Sequence, residues 1–212
     1  MENPLKSVKQ PTEIRQAALV EAALRLAAQR SPPDITTGDL AQAVGITQGA
    51  VFRHFSSKEA VWLAVLDWTA DTLMRRLQAA ADAELAKPDK LASLAALQAV
   101  FMAHVDFVVA HPGVPRVIFQ ELQHAQDTAL KARVRGLMQR YRRLLMGVLE
   151  HANEQRLLAP GTDQEAAAVL FVGAVQGLVM QSLISGEVRA MAQQAPGAFK
   201  IYVRGLTLRE TP

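Results

Sequence analysis

Apolar residues recur every three or four positions along almost the whole chain, the spacing of a buried stripe on a helix. In the first such stretch, 12–30, Leu19, Ala22 and Leu26 share one stripe. No run alternates apolar and polar residues between tight Asn-Gly or Asp-Gly turns, so no strands are expected. The pattern predicts an all-α protein.

Proline, glycine and capping residues divide this pattern into separate helices. A Ser-Pro-Pro-Asp run at 31–34 ends the first helix, and similar breaks lie at 87–89, 111–113 and 159–161. The predicted helices lie at about 12–30, 36–44, 47–55, 56–86, 91–110, 114–124, 129–158, 163–186 and 196–208. Two short helices therefore stand between two long ones in the N-terminal part.

Length and composition limit the classes of protein to be considered. With 212 residues, 50% of them apolar, the chain can form one small domain and one of medium size. It has no cysteine, which excludes disulfides, thiolate metal sites and a cysteine nucleophile and is compatible with a reducing cytosol. Residues 1–12 contain no apolar run that would serve as a signal peptide. We therefore expect a cytoplasmic protein.

Charge alone does not identify a partner. The formal net charge is +3, and residues 1–60 hold seven Lys or Arg against six Asp or Glu. Basic residues are concentrated in the helix predicted at 129–158, mostly off its apolar stripe, and this pattern is typical of a solvated face. They are Lys131, Arg133, Arg135, Arg140, Arg142 and Arg143. A functional prediction has to come from a local motif instead.

The segment 36–55 carries the signals of two short helices joined by a glycine turn. Thr36 and Asp39 form a capping-box pair that begins the first of them. Gly45 provides the left-handed conformation that ends it after about two turns, and Thr47 caps the second. The segment therefore predicts a helix-turn-helix.

The second short helix has a polar outer side made of mostly short side chains. Val51 and Phe55 are expected to bury its inner side. The residues left on or near the outer side are Gln48, Ala50, Phe52, Arg53 and His54. Ser56 and Glu59 form a further capping box at the start of the long helix that follows, with Lys58 in its first turn. Such a unit presents side chains to the DNA major groove, although a plain three-helix packing unit has the same turn pattern.

Residues 13–73 resemble the DNA-binding domain of the TetR family of bacterial regulators. The match joins the helix-turn-helix to an aromatic-rich end of the second short helix, Val-Phe-Arg-His-Phe at 51–55, and to Ser-Lys-Glu-Ala at 57–60. It covers less than a third of the chain, and the rest agrees only in size and helical content. The resemblance implies a DNA-binding head over 10–70 and a ligand-binding and dimerisation body over 71–212. The head would contain three helices and the body six.

The resemblance also implies roles for residues of the head. Those at phosphate-contacting positions are Thr37, Phe52, His54 and Lys58. Those facing base edges are Gln48, Gly49 and Ala50, and further DNA contacts are expected from Thr36, Thr47 and Arg53. The Gln48 amide suits an adenine edge, and the Ala50 methyl suits a thymine methyl.

Three positions depart from the family pattern. Phe52 stands where a tyrosine is frequent, so it can pack on the DNA backbone without donating a hydroxyl hydrogen bond. Gly38 occupies a position where some members place a base-reading side chain, and Ala27 replaces a frequent aromatic residue. The N-terminal basic residues, which predict either an arm that reaches DNA or a solvated tail, are Lys6, Lys9 and Arg15.

For the body, the resemblance implies a small-molecule pocket and a homodimer. The pocket candidates, chosen as bulky or polar residues on inward stripes, are Trp68, Phe101, Met102, His104, Phe119, Met138, Tyr141 and Gln176. Such a lining favours an apolar, partly aromatic ligand. The uncharged stretch 166–186 is apolar all round and should be buried on two faces, which predicts a dimer through the last two helices. Gly173 and Gly177 would allow their close approach.

Two further features of the sequence are typical of other classes of protein. The stretch 166–186 is long enough to span a bilayer, but it contains polar residues and lacks bordering aromatic or basic anchors, so no membrane is expected. Glu121 and His124 have the spacing of a di-iron motif without a second copy, so neither a metal nor a cofactor is expected.

No catalytic residues are predicted, because no Ser-His-Asp ordering, glycine-rich phosphate loop or carboxylate pair is evident. The expected protein is a regulator of transcription, most simply a repressor released from a palindromic operator on double-stranded DNA by a small apolar or aromatic effector. A helical enzyme, a metal-binding protein and a ligand-independent DNA-binding regulator stay open as alternatives.

Overall fold

The computed structural model describes residues 12–207, and within this range it contains nine α-helices and no strand. The helices are α1 (Thr12–Ala27), α2 (Thr37–Val44), α3 (Gln48–Val51), α4 (Lys58–Leu85), α5 (Ala92–Ala110), α6 (Gly113–Leu122), α7 (Ala129–Glu154), α8 (Gln164–Ser185) and α9 (Ala190–Leu206). A short 3-10 helix, Pro32–Asp34, connects α1 to α2. The all-α prediction is confirmed.

The turn between α2 and α3 forms as its sequence predicts. The Thr36 hydroxyl accepts a hydrogen bond from the Asp39 amide, and the Asp39 carboxylate accepts one from the Thr36 amide at 2.7 Å. These bonds to Thr36, together with an ion pair to Arg30, lower the pKa of Asp39 to about 2. Gly45 ends α2 at a φ of +71°, a left-handed conformation that glycine adopts without a steric cost.

The limits of two helices in the head differ from the predicted ones. The N-cap of α4 is Ser57, whose Oγ accepts from the Ala60 amide at 3.0 Å, so the predicted cap at Ser56 is wrong. Helix α3 ends at Val51 and not at residue 55. The amides of Arg53 and His54 bond to carbonyls only three residues back, those of Ala50 and Val51, which tightens the chain into a 3-10 turn.

The start of α9 was also predicted wrongly. It begins at Ala190, and Pro196 lies inside the helix with an exposed side chain. Proline is favoured in the first turn of a helix, which is why the sequence suggested a start at this residue. The predicted arm residues Lys6 and Lys9 lie outside the described residues, whereas Arg15 is half-buried on α1.

The core of the body is formed by α4, α5, α7, α8 and α9. Helix α4 packs on α5 and α7, and α9 packs on α5 and α8. An aromatic cluster lies at the centre, where the rings of Phe101 and Phe171 meet edge to face at 5.2 Å and Phe199 lies 5.5 Å from Phe101. The Tyr202 hydroxyl donates to the Ala167 carbonyl at 3.1 Å and joins α9 to α8.

The head and the body are joined by two elements. Helix α4 runs through the predicted boundary at residue 70 without a break, and α1 packs against the start of α6. At Gly113, the first residue of α6, a Cβ would lie only 2.1 Å from the Leu24 carbonyl oxygen of α1. The two helices therefore meet backbone to backbone, and only glycine fits at this contact.

Among the helices of residues 12–207, α5 and α8 are long and apolar enough to cross a membrane by length and composition. Half of the apolar stretch of α5 is buried inside the body, compared with one third of that of α8. The apolar side chains that α8 leaves exposed are Val169, Leu170, Met180 and Ile184. Helix α5 is thus a core helix, and α8 has an uncovered apolar face.

Candidate DNA-binding surface and ligand cavity

The candidate DNA-binding surface is formed by the starts of α2 and α3 and by the turn after α3. Thr47 begins α3 by accepting a hydrogen bond from the Ala50 amide at 3.3 Å. Gln48 and Gly49 are exposed on the same turn. The Gln48 amide donates to the Thr37 hydroxyl at 2.7 Å. This bond brings a predicted base-reading residue and a predicted phosphate contact together across the two helices.

One of the predicted contacts does not lie on this surface. Ala50 is only 6% exposed, so its outward placement is wrong. Helix α3 is a single turn, and its inner side includes Ala50 as well as the neighbouring Val51, which is 1% exposed. In this conformation the Ala50 methyl is not available to a thymine.

The predicted DNA contacts that follow α3 differ in exposure and in their hydrogen bonds. Phe52 is 49% exposed, a high value for a large apolar side chain. His54 is half-buried, and its carbonyl accepts a hydrogen bond from the Gln16 amide of α1 at 2.9 Å. The Lys58 ammonium donates to the Pro33 carbonyl at 2.7 Å. The other predicted contacts, Thr36 and Arg53, are exposed.

A cavity of about 220 Å³ lies between α4, α5, α6, α7 and α8. Its wall is mainly apolar, with Phe107 from α5, Ile118 from α6 and Val175 from α8 among the lining residues. The predicted pocket residues that line it are His104, Phe119, Met138 and Gln176. Tyr141 lies behind His104, with its Oη 3.1 Å from His104 Nδ1.

The other three predicted pocket residues lie elsewhere. Phe101 is fully buried in the aromatic cluster of the core. Met102 is half-buried and packs against that core without lining the cavity. Trp68 lies in a groove between α1 and α5, where its ring meets that of His111 at 5.0 Å. Helical periodicity indicated correctly that these side chains are at least half-buried, but not which of them border an empty space.

Helices α6 and α7 contribute lining residues that were not predicted from the sequence. Val114 and Pro115 line the cavity from the first turn of α6, and Lys131 and Arg135 line it from the first turns of α7. The two basic residues had been interpreted as part of a solvated face. Their spacing of four residues places them on the same side of α7 as Met138, and this was the available signal.

The polar pair inside the body is neutral. Burial lowers the pKa of His104 to about 4 and raises the pKa of Tyr141 above its usual range. The Tyr141 hydroxyl is fully buried, and among the described residues its hydrogen-bond partner is His104. An unsatisfied buried hydroxyl proton is costly, so Tyr141 donates to Nδ1. The ring proton then lies on Nε2, which His104 can donate to the cavity.

Glu121 and His124 lie beside each other near the end of α6. His124 Nε2 lies 3.9 Å from Glu121 Oε2, and within residues 12–207 no group of three or more potential ligands surrounds them. The Glu121 carboxylate instead accepts a hydrogen bond from the hydroxyl of Thr128, the N-cap of α7. This bond fixes the end of α6 to the start of α7.

A helix-turn-helix with an exposed polar turn, joined through a long helix to a helical body that encloses an apolar cavity, defines a DNA-binding regulator with a separate ligand-binding part. Residues 19–65 match the profile described as bacterial regulatory proteins of the tetR family, and residues 93–196 match the tetracyclin repressor-like C-terminal domain. The chain belongs to the TetR family and is a DNA-binding transcriptional regulator.

Individual relatives are distant. The nucleoid occlusion factor SlmA of Alteromonas mediterranea is 23% identical over 180 residues, which are 85% of this chain and 89% of that protein. The transcriptional regulator FadR of Bacillus subtilis, solved in complex with stearoyl-CoA, covers 89% of this chain and 98% of its own, with a TM-score of 0.75 and 15% identity. The ketosteroid transcriptional regulator KstR2 of Mycobacterium tuberculosis covers 96% and 98%, with a TM-score of 0.70 and 21% identity. These structures share the fold.

Proposed function

We propose that this protein is a cytoplasmic repressor that binds a palindromic operator as a homodimer and is released by a small molecule in the cavity. The observation that carries the proposal is the position of α6. Its residues Val114, Pro115 and Ile118 line the cavity, while Gly113 at its start packs on Leu24 of the head. A ligand that displaces α6 therefore displaces the element on which the head rests. FadR, solved in complex with stearoyl-CoA, and AibR, solved in complex with isovaleryl coenzyme A and operator DNA, support a body that binds small molecules and a head that binds DNA.

The proposed DNA contacts are those of the exposed surface around α3, within a DNA-binding domain at about 10–70. Backbone contacts are assigned to Thr36, Thr37, Thr47, Phe52, Arg53, His54 and Lys58. Gln48 reads a base edge and Gly49 lets the helix approach the groove, while the buried Ala50 makes no base contact. To reach an adenine, the Gln48 amide exchanges its bond to Thr37 for a pair of bonds to the base.

Gln48→Ala and Lys58→Ala are expected to weaken DNA binding in different ways. Loss of the Gln48 amide should reduce discrimination between operator variants by about 1–3 kcal/mol at one base pair. Loss of the Lys58 charge should weaken binding to all sequences and lower the salt slope by about one. Gel shifts with the DNA upstream of the protein's own gene, repeated at several salt concentrations, measure both effects.

Gln42→Ala is the matched control, because Gln42 is exposed on α2 and is outside the proposed contacts. If Gln48→Ala and Lys58→Ala both keep full affinity and specificity, the assignment of this surface is wrong.

The dimer is proposed to form through α8 and α9. Val169 and Ile184 of α8 are 71% and 72% exposed, and Ile201 of α9 is 75% exposed. Monomeric soluble proteins rarely expose large contiguous apolar patches. A second copy of the chain, placed symmetrically, covers this face and brings two heads to one palindrome.

The switch acts through the spacing of the two heads. Two half-sites of a palindrome lie about 34 Å apart, or a multiple of that, so the recognition helices of the dimer must match this distance. A ligand that fits the body better with α4 and α6 displaced shifts the population away from DNA binding. Operator DNA must then weaken ligand binding by the same factor. Calorimetry with and without operator, on any compound that releases the protein in a gel shift, tests this equality.

Phe119→Ala is expected to raise the effector concentration needed for release by about tenfold, the effect of losing about 1.4 kcal/mol of contact. Phe119 is half-buried and lines the cavity, so operator affinity should stay within about twofold of the original value. Phe101 and Tyr141 are poorer sites for this test, because both are fully buried and truncation costs about 3–5 kcal/mol of stability.

Release is measured by gel shift across a panel of small apolar and aromatic molecules. Leu91→Ala, an exposed apolar position outside the cavity, is the control. If every active compound releases Phe119→Ala from the operator at the same concentration as the unmodified protein, the effector site lies elsewhere.

A further inference from the structure

We infer that the effector is an amphiphilic anion, with a small apolar body inside the cavity and one anionic group held at its edge by Lys131 and Arg135. This inference rests on the proposed function, since it names the chemistry of the same ligand. It follows from the charge, the shape and the size of the cavity.

The charged side chains that line the cavity are both basic. Lys131 and Arg135 contribute to its wall, and no Asp or Glu among the described residues does so. Arg135 donates to Asp127 at 2.8 Å, an ion pair in which both side chains are more than half exposed. The Lys131 ammonium donates to the neutral carbonyl of His124 at 2.8 Å. Asp127 therefore neutralises one of the two cations, and one positive charge stays available at this edge.

The opposite part of the cavity is neutral. His104 carries no charge at pH 7 and offers a single ring N–H, and Gln176 offers an amide. Lys131 and Met138, the first and last lining residues of α7, are seven residues apart, or about 10 Å along the helix axis at about 1.5 Å per residue. Along this length no carboxylate of residues 12–207 lines the cavity, so a cationic ligand would have no partner. An anionic group at the Lys131 edge would pair with the Lys131 ammonium.

The cavity admits only a short apolar body. Its 220 Å³ is below the range of about 300–1,000 Å³ that is usual for drug-sized ligands. An acyl chain of about eight carbons is therefore a suitable probe.

Two sources can supply this chemistry. The anion is either the carboxylate of a free acid, or the phosphates of a coenzyme A thioester whose acyl group alone enters the cavity. In both cases an apolar chain ends at a negative charge, and the two compounds can be compared at the same chain length.

The test is calorimetry on the full-length protein with octanoate, octanoyl-CoA, 1-octanol and octylamine. We expect at least one anion to bind tenfold or more tightly than 1-octanol, and octylamine to bind most weakly. Octanoyl-CoA binding without octanoate binding would identify the phosphates as the anion. The inference is overturned if 1-octanol or octylamine binds as tightly as both anions, or if neither anion binds at millimolar concentration.

Lys131→Met and Arg135→Met remove the charges while keeping an apolar stem. We expect Lys131→Met to reduce the preference for the anion over 1-octanol to within about twofold, and Arg135→Met to reduce it less because Asp127 already neutralises that charge. Arg133→Met is the matched control, since Arg133 pairs with Asp67 of α4 at 3.1 Å and does not line the cavity. Unchanged 1-octanol binding shows that each variant keeps the folded cavity.

An anion preference that survives in both Lys131→Met and Arg135→Met contradicts the inference. Operator release is measured separately by gel shift. An anion that binds the cavity with the expected preference but leaves the operator complex intact would disprove the proposed release mechanism and leave the ligand assignment standing.

Discussion

Gly177→Leu is expected to abolish the dimer at micromolar concentration and, with it, tight operator binding. Gly177 lies on the exposed apolar face of α8, and a Cβ there would meet nothing within 4 Å in the single chain. A leucine therefore clashes only with the partner copy. Overpacking costs about 1–3 kcal/mol at each site, and the dimer contains two copies, so its dissociation constant should rise by about thirtyfold or more.

Gly147→Leu on α7 is the control for Gly177→Leu, because its Cβ also meets nothing within 4 Å. Both changes replace a helical glycine, so both should raise the stability of the single chain by about 0.5–1 kcal/mol. Sedimentation equilibrium and fluorescence anisotropy on operator DNA provide the measurements. A Gly177→Leu protein that stays dimeric would show that α8 does not form the interface.

Gly113→Ala is expected to lower operator affinity by at least tenfold even in the absence of any effector. The added methyl would lie 2.1 Å from the Leu24 carbonyl and 3.0 Å from the Ala28 amide, both backbone atoms that cannot rotate away. Helices α1 and α6 must therefore separate. The head then leaves the position that its contact with α6 gives it in the unmodified protein. The variant should resemble the effector-bound state, and a lower unfolding temperature should accompany the change.

Gly136→Ala on α7 is the matched control, because its Cβ meets nothing within 4 Å. Anisotropy titrations on the operator and thermal unfolding followed by circular dichroism distinguish a displaced head from a misfolded chain. Wild-type affinity in a folded Gly113→Ala protein would mean that the contact between α1 and α6 does not control the head.

The features that the sequence predicted well depend on neighbouring residues. The capping box of Thr36 and Asp39 and the left-handed Gly45 lie within ten residues of each other, and their geometry is set by local hydrogen bonds. The class of fold followed from helical periodicity in the same way. Helix limits were less accurate where two signals compete, as at Ser56 and Ser57, since either serine can cap a helix.

The features that the sequence did not predict depend on packing between distant segments. Ala50 is buried because α3 is only one turn long and packs on α2. Periodicity over so few residues does not indicate which side of the helix is buried. Phe101 and Met138 both lie on inward stripes, yet only Met138 borders the cavity, because Phe171 and Phe199 occupy the space beside Phe101. Lys131 was assigned to solvent although it shares one side of α7 with Met138, because its contact with the His124 carbonyl is visible only in three dimensions.

The hydrogen bond between Gln48 and Thr37 has a consequence for how the regulator searches a chromosome. While this bond is intact, the amide proposed to read a base is bonded within the protein, and we expect encounters with DNA to depend on the charge of the DNA backbone. We expect sliding to be fast and nearly blind to sequence in this state. At the operator the bond to Thr37 is replaced by the pair of bonds to the base, so we expect binding to be slowed little and selectivity to appear in the residence time rather than in the rate of arrival.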